Sequence, residues 1–99
     1  MNELDLCKAI AELEGVNVTG ILGSSVMAIG FSQGYNPITD LALNCMLRDK
    51  HKVEVDYVGD TNSKWVGIFH HKRDDTRWSD KKEIPRAVIE CILKSKGRL

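Results

Sequence analysis

The sequence predicts an α+β domain: an antiparallel sheet of three to five strands with three helices packed on it, in an α/β/α sandwich-like arrangement. Three observations lead there. Apolar residues recur with helical spacing near both ends of the chain and again in its middle. Between these stretches lie short alternating runs, of which Val53-Glu54-Val55-Asp56-Tyr57 is the clearest. Strands that follow one another with no helix between them pair antiparallel. Ninety-nine residues supply one hydrophobic core, so residues 1–99 are read as a single domain.

The first helix is expected over 3–14. Asn2 suits its N-cap, with Asp5 three residues on. Leu6, Ala9, Ile10 and Leu13 form an apolar stripe, Lys8 and Glu12 lie opposite, and Gly15 sits where a left-handed terminator belongs. Residues 16–34 allow two readings. Val16, Val18, Ile21, Val26, Met27, Ile29 and Phe31 could form short strands, with a hairpin turning at Gly23-Ser24-Ser25; the interleaved glycines equally suit a mobile loop.

Asn36-Pro37 then reads as a helix N-cap and first residue, with Thr39 or Asp40 able to cap one register later; the helix runs to about Lys50. Its apolar residues exceed one stripe. Ile38, Leu41, Ala42 and Cys45 are assigned to the core, which leaves Leu43, Met46 and Leu47 to be covered by a second copy about a two-fold axis or by the 16–34 segment. Val53–Tyr57 and Trp65–Phe69 form a hairpin across the polar Gly59–Lys64 turn, and Thr76–Ser79 supplies a further short strand. Pro85 opens a last helix, striped by Ile84, Val88, Cys91 and Ile92, widened by Ile89 and Leu93, and stopped at Gly97. The expected core is Trp65, Phe69, Val53, Val55, Ile10, Leu13, Ile92 and Val88.

Fourteen Lys and Arg balance fourteen Asp and Glu, which argues against a nucleic-acid binder and against an acidic DNA mimic. The charge is nonetheless divided. Residues 1–47 hold one base against five acids, and residues 48–99 hold thirteen bases against nine acids. The longest uncharged stretch, 15–39, is too polar to span a membrane, and the first residues lack a signal-peptide pattern, so a cytoplasmic protein is expected. Cys7, Cys45 and Cys91 form no C-x-x-C pair and read as small buried hydrophobes.

No motif for nucleophilic catalysis, phosphate cradling or zinc hydrolysis is present. His70 and His71 are adjacent, and adjacent strand residues point to opposite faces; a solvated loop is the simpler reading, with no metal site and no cofactor. The segment from His70 to Lys82 combines bases with Trp78. Asp74, Asp75 and Asp80 dilute its charge, so Lys72, Arg73, Arg77 and Trp78 are read as a rim that meets a protein rather than a nucleic acid. Glu54 and Asp56 lie on the face that alternation exposes.

Leu4-Asp5-Leu6-Cys7-Lys8-Ala9, Tyr35-Asn36-Pro37-Ile38-Thr39-Asp40 and Ile84-Pro85-Arg86-Ala87-Val88-Ile89-Glu90-Cys91 together resemble small phage and prophage proteins of the phage ABA-sandwich domain and NinX-like group. That resemblance implies a helix/sheet/helix sandwich and a phage-encoded protein of the host cytoplasm, with no established reaction. The expected function is accordingly non-enzymatic binding of a host protein, most sharply inhibition of an anti-phage defence such as CRISPR–Cas, with Tyr35 and Asp40 joining the rim residues as contacts. The alternative is a small-molecule or nucleotide-binding module built on Tyr35, Asp40, Trp65 and the basic loop, which would require a pocket near Tyr35.

Overall fold

The structure, a computed structural model, describes residues 1–57, 65–70, 76–80 and 84–99, with side chains for 1–53 and 84–99. Its class is the α+β one expected. The order is α1 (Glu3–Leu13), β1 (Val18–Leu22), β2 (Ser25–Ala28), β3 (Phe31–Tyr35), α2 (Leu41–Lys50), β4 (Val53–Tyr57), β5 (Trp65–His70), β6 (Thr76–Asp80) and α3 (Ile84–Ser95). The strands fall into two antiparallel three-stranded sheets, β1-β2-β3 and β4-β5-β6. The division follows the chain, because α2 separates the two runs of strands and each run closes through local hairpins. α1 packs on β1 and β2, α3 packs on β4, β5 and β6, and α1 and α3 pack on each other. α1 and α3 therefore lie between the two sheets, and α2 packs on α3 and β4.

Local chemistry explains the ends of α1. The Asn2 side chain accepts from the Asp5 amide at 2.8 Å, as the capping pattern requires. Gly15 takes φ of +68°. The Gly15 amide donates to the Glu12 carbonyl at 3.2 Å and the Val16 amide to the Ala11 carbonyl at 2.9 Å, the paired bonds of a Schellman terminator. Leu6, Cys7, Ile10 and Ala11 are buried, while Ala9 and Leu13 are half-buried against the core. Leu13 thus contributes at the core's margin rather than at its centre.

Residues 16–34 resolve in favour of strands. Leu22 pairs with Ser25 across the Gly23-Ser24 turn, and Gly23 has φ of +61°, the position where a type II′ hairpin needs glycine. A third strand follows. It pairs irregularly with β2, since only Val26 with Tyr35 and Ala28 with Phe31 stand in register.

On α2 the expected faces are reversed. Leu43, Asn44 and Leu47 are buried, whereas Leu41, Ala42, Cys45 and Met46 face solvent. The cause is Asn44. Its Nδ2 donates to the Pro37 carbonyl at 2.8 Å and to the Pro85 carbonyl at 2.9 Å, so a polar residue belongs to the inner face and turns the helix accordingly. Two of the three residues assigned to self-association, Leu43 and Leu47, are therefore core residues, and only Met46 is exposed. Cys45 is likewise exposed rather than buried; Cys7 and Cys91 are buried.

The helix that is buried around its circumference is α3, with every residue from 87 to 93 inside. It touches α1, α2 and the second sheet, which accounts for that burial. Ile10, Val53, Val88 and Ile92 are core residues as expected; the side chains of Val55, Trp65 and Phe69 lie outside the described residues. No described helix is long and apolar enough to cross a membrane.

Candidate functional site

The 35–40 segment links the first sheet to α2, and the most connected polar cluster among the described residues is built there. Asn36 is buried. Its Oδ1 accepts from the amides of Ile38 at 3.0 Å and Thr39 at 3.3 Å. Its Nδ2 donates to Glu3 Oε2 at 3.0 Å and to Ser25 Oγ at 3.1 Å. One side chain thus ties α1, β2 and the turn together. The Asn36-Pro37 pair does cap a turn, but that turn is a single one. Asp40 is the N-cap of α2, with Oδ1 accepting from the Leu43 amide at 3.2 Å; the later register is the one adopted.

Tyr35 is not a surface contact. It is 1% exposed, packed edge-on against Phe31 with ring centroids 4.9 Å apart. Burial, with Glu14 and Cys7 adding to it, pushes its phenol well above the usual tyrosine range, so the hydroxyl stays protonated. A side chain so enclosed has no surface for a partner, and the expected role of Tyr35 in binding is withdrawn. Asp40 is exposed and keeps its place beside the surface. The backbone of Arg77 and Trp78 lies on β6, opposite Ile68 and Gly67; their side chains, and Lys72 and Arg73 entirely, lie outside the described residues.

Beside this segment opens a polar cleft of about 410 Å³ lined by Ser25, Gln33, Gly34, Asn36, Thr39 and Asp40. Gly34 has φ of +88°, and a Cβ there would meet the Val26 carbonyl oxygen at 3.3 Å; the wall of the cleft needs glycine. Its lining offers neutral hydrogen-bonding groups and one carboxylate. A nucleotide's phosphates would find no cation among those six residues.

A second polar cluster fastens the C-terminal ends of α1 and α2. Glu14 receives Lys50 Nζ at 2.9 Å on Oε1 and His51 Nε2 at 3.2 Å on Oε2. Burial would raise the Glu14 carboxyl, but these two hydrogen bonds and the accompanying charges outweigh it and hold the group below its ordinary value. Cys7, by contrast, is pushed up to about 12 by burial and then by Glu3. At neutral pH it is a protonated thiol and no nucleophile. Among the described residues no group of three His, Cys, Asp or Glu side chains is placed to hold a metal ion.

Two surface features complete the description. On α2, Leu41 and Met46 are 62% and 58% exposed and flank Ala42 and Cys45, immediately after Asp40. On the first sheet Val18, Ile21, Leu22 and Met27 are exposed, as is Ile29 in the turn between β2 and β3. Sequence reasoning missed Asn44 as an inward anchor and Glu14 as a junction. The first had no local signal, and for the second the divided charge gave only a general one. The chain matches no protein-family model, no curated protein and no solved structure.

Proposed function

We propose that this chain is a non-enzymatic phage accessory protein that acts in the host cytoplasm by binding a host protein, and that in its sharpest form it inhibits an anti-phage defence component such as a CRISPR–Cas effector. The observation that carries the reading is the α2 surface. Leu41 and Met46 stand well exposed around Ala42 and Cys45, next to the polar cleft that ends at Asp40. An apolar centre with a polar rim is the make-up of a protein-binding patch. Equal numbers of acids and bases favour occlusion by shape over mimicry of a polyanion. The likeness of the 4–9, 35–40 and 84–91 segments to small phage proteins supports the phage setting. Cys7 and Tyr35, two ionisable groups of the described core, are both held protonated, which suits a structural role for them.

The test is capture of a partner from host lysate by the tagged protein, followed by titration with the purified partner. Leu41→Glu combined with Met46→Glu, with helicity unchanged, is expected to weaken binding by tenfold or more, roughly 1.4 kcal/mol. Binding that survives both changes would remove α2 from the interface.

The cleft favours a second reading, a small-molecule module. Gly34 and Asn36, the neighbours of Tyr35 in sequence, line it while Tyr35 itself does not, and with Asp40 as its one charged lining group a neutral or cationic ligand fits better than a nucleotide. Native mass spectrometry of the purified protein separates the readings, since a bound small molecule lost on Asp40→Asn would support the second.

A further inference from the structure

The first sheet has an open edge, and the residues along it say what can close it. In the order β1-β2-β3, β1 has a strand on one side only among the described residues. Its free edge carries main-chain groups that an extended strand satisfies and a helix or a rigid polar surface does not. The opposite edge, β3, is broken by the irregular register against β2 and leads directly into the Asn36 turn. β1 carries one bulge, at Thr19, which leaves Gly20–Leu22 as its regular part. Around that edge Val18, Ile21 and Leu22 are exposed although apolar.

We infer that the occupant of this edge is β1 of a second copy, joined antiparallel about a two-fold axis so that two three-stranded sheets become one of six strands. The lack of charge disfavours a charged foreign strand and places no repulsion against a second copy. From residue 15 to residue 39 there is no Asp, Glu, Lys, Arg or His. Nothing on the edge attracts a charged partner, nothing repels an identical one, and the lysines with which edge strands are commonly protected are missing. Shape agrees. Pairing centred on Ile21 sets Ile21 against Ile21 of the second copy and Leu22 against Gly20 of the second copy. An absent side chain thereby makes room for a large one, beside Met27, whose sulfur lies 3.5 Å from where a Gly20 Cβ would stand. This edge is separate from the α2 surface, so a dimer would present two copies of that surface.

The experiment is light scattering of the intact chain from low to high micromolar concentration, together with hydrogen exchange over the same range. The expected mass rises from the 11.1 kDa of one chain to twice that, and amide exchange in Val18–Leu22 slows as it does. Val18→Lys with Ile21→Lys is expected to raise the dimer dissociation constant by about tenfold or more with the circular dichroism unchanged, and Met46→Glu to leave it where it was. A wild type that stays monomeric with exchange at β1 independent of concentration overturns the inference. So does a dimer that keeps its mass in the lysine variant, or one that forms without slowing exchange in β1. If the lysine variant fails to fold, wild-type exchange alone decides. Loss of partner binding in the α2 variant leaves this result unaffected, so the two proposals fail separately.

Discussion

The three helices end by one device executed with different residues. Gly15 and Gly97 both adopt left-handed backbone, with φ of +68° and +71°. Behind Gly97 the Arg98 amide donates to the Leu93 carbonyl at 2.8 Å, repeating the terminator of α1. After α2 the same place is held by Lys52, with φ of +57° and its amide on the Asp49 carbonyl at 3.3 Å. A left-handed residue with a Cβ costs about 1–2 kcal/mol, part of which glycine would return through the entropy of the unfolded chain. Lys52→Gly is therefore expected to stabilise the protein by up to about 1 kcal/mol, read as a higher urea midpoint at constant slope. A loss of stability instead would mean that the Lys52 side chain holds something in place. Asn44 works in the opposite sense. Asn44→Leu removes both donors and leaves the Pro37 and Pro85 carbonyls short of partners, which should cost about 1–3 kcal/mol despite the gain in apolar volume. A variant as stable as wild type in chemical denaturation would remove Asn44 as the anchor of α2.

At the scale of elements, α2 shows where local patterns stop being informative. Its end near Lys50 was legible, as was Asp40 among the later caps that the sequence allowed after Asn36, because capping is a contact between neighbours in sequence. Its rotation was not, because it depends on Pro37 and Pro85 presenting carbonyls to one asparagine, and Pro85 lies forty-one residues away. Grouping the apolar residues by face put Ile38, Leu41, Ala42 and Cys45 inside and left Leu43, Met46 and Leu47 outside, whereas Leu43 and Leu47 are the buried ones. The candidate site divides along the same line: Asn36 and Asp40 were visible as capping residues, while the burial of Tyr35 follows from β3 packing and had no signal of its own. The orientation is measurable. Leu47→Ala should cost about 2–5 kcal/mol, whereas Leu41→Ala should stay within about 0.5 kcal/mol of wild type. Equal costs in chemical denaturation would mean that α2 sits differently on the core.

Across the whole molecule, the divided charge of the sequence becomes a set of fastenings. The acids of the first half reach bases of the second: Glu14 to Lys50 and His51, and Glu12 to Arg98 at 3.2 Å. The Glu12 pair is largely exposed and contributes little. Glu14 differs, for its side chain is 10% exposed and that of His51 is 9%, so solvent and salt screen their contact weakly. The carboxyl is held below its ordinary value of 4.5 in the folded protein. Around and below that value the unfolded chain binds more protons at this position than the native one, and stability must rise with pH there. The contribution of Glu14 is thus fully present above the unfolded value and is lost as pH falls through the lower folded one. Wild type and Glu14→Gln, unfolded in urea at a series of pH values, should differ most near neutrality and converge in acid. The subtraction matters, because every other carboxylate that titrates in both proteins cancels and the remaining slope belongs to Glu14. A difference that is flat across the acid range would show that Lys50 and His51 stabilise the neutral acid as well as the carboxylate, and the junction between α1 and α2 would then rest on packing rather than on charge.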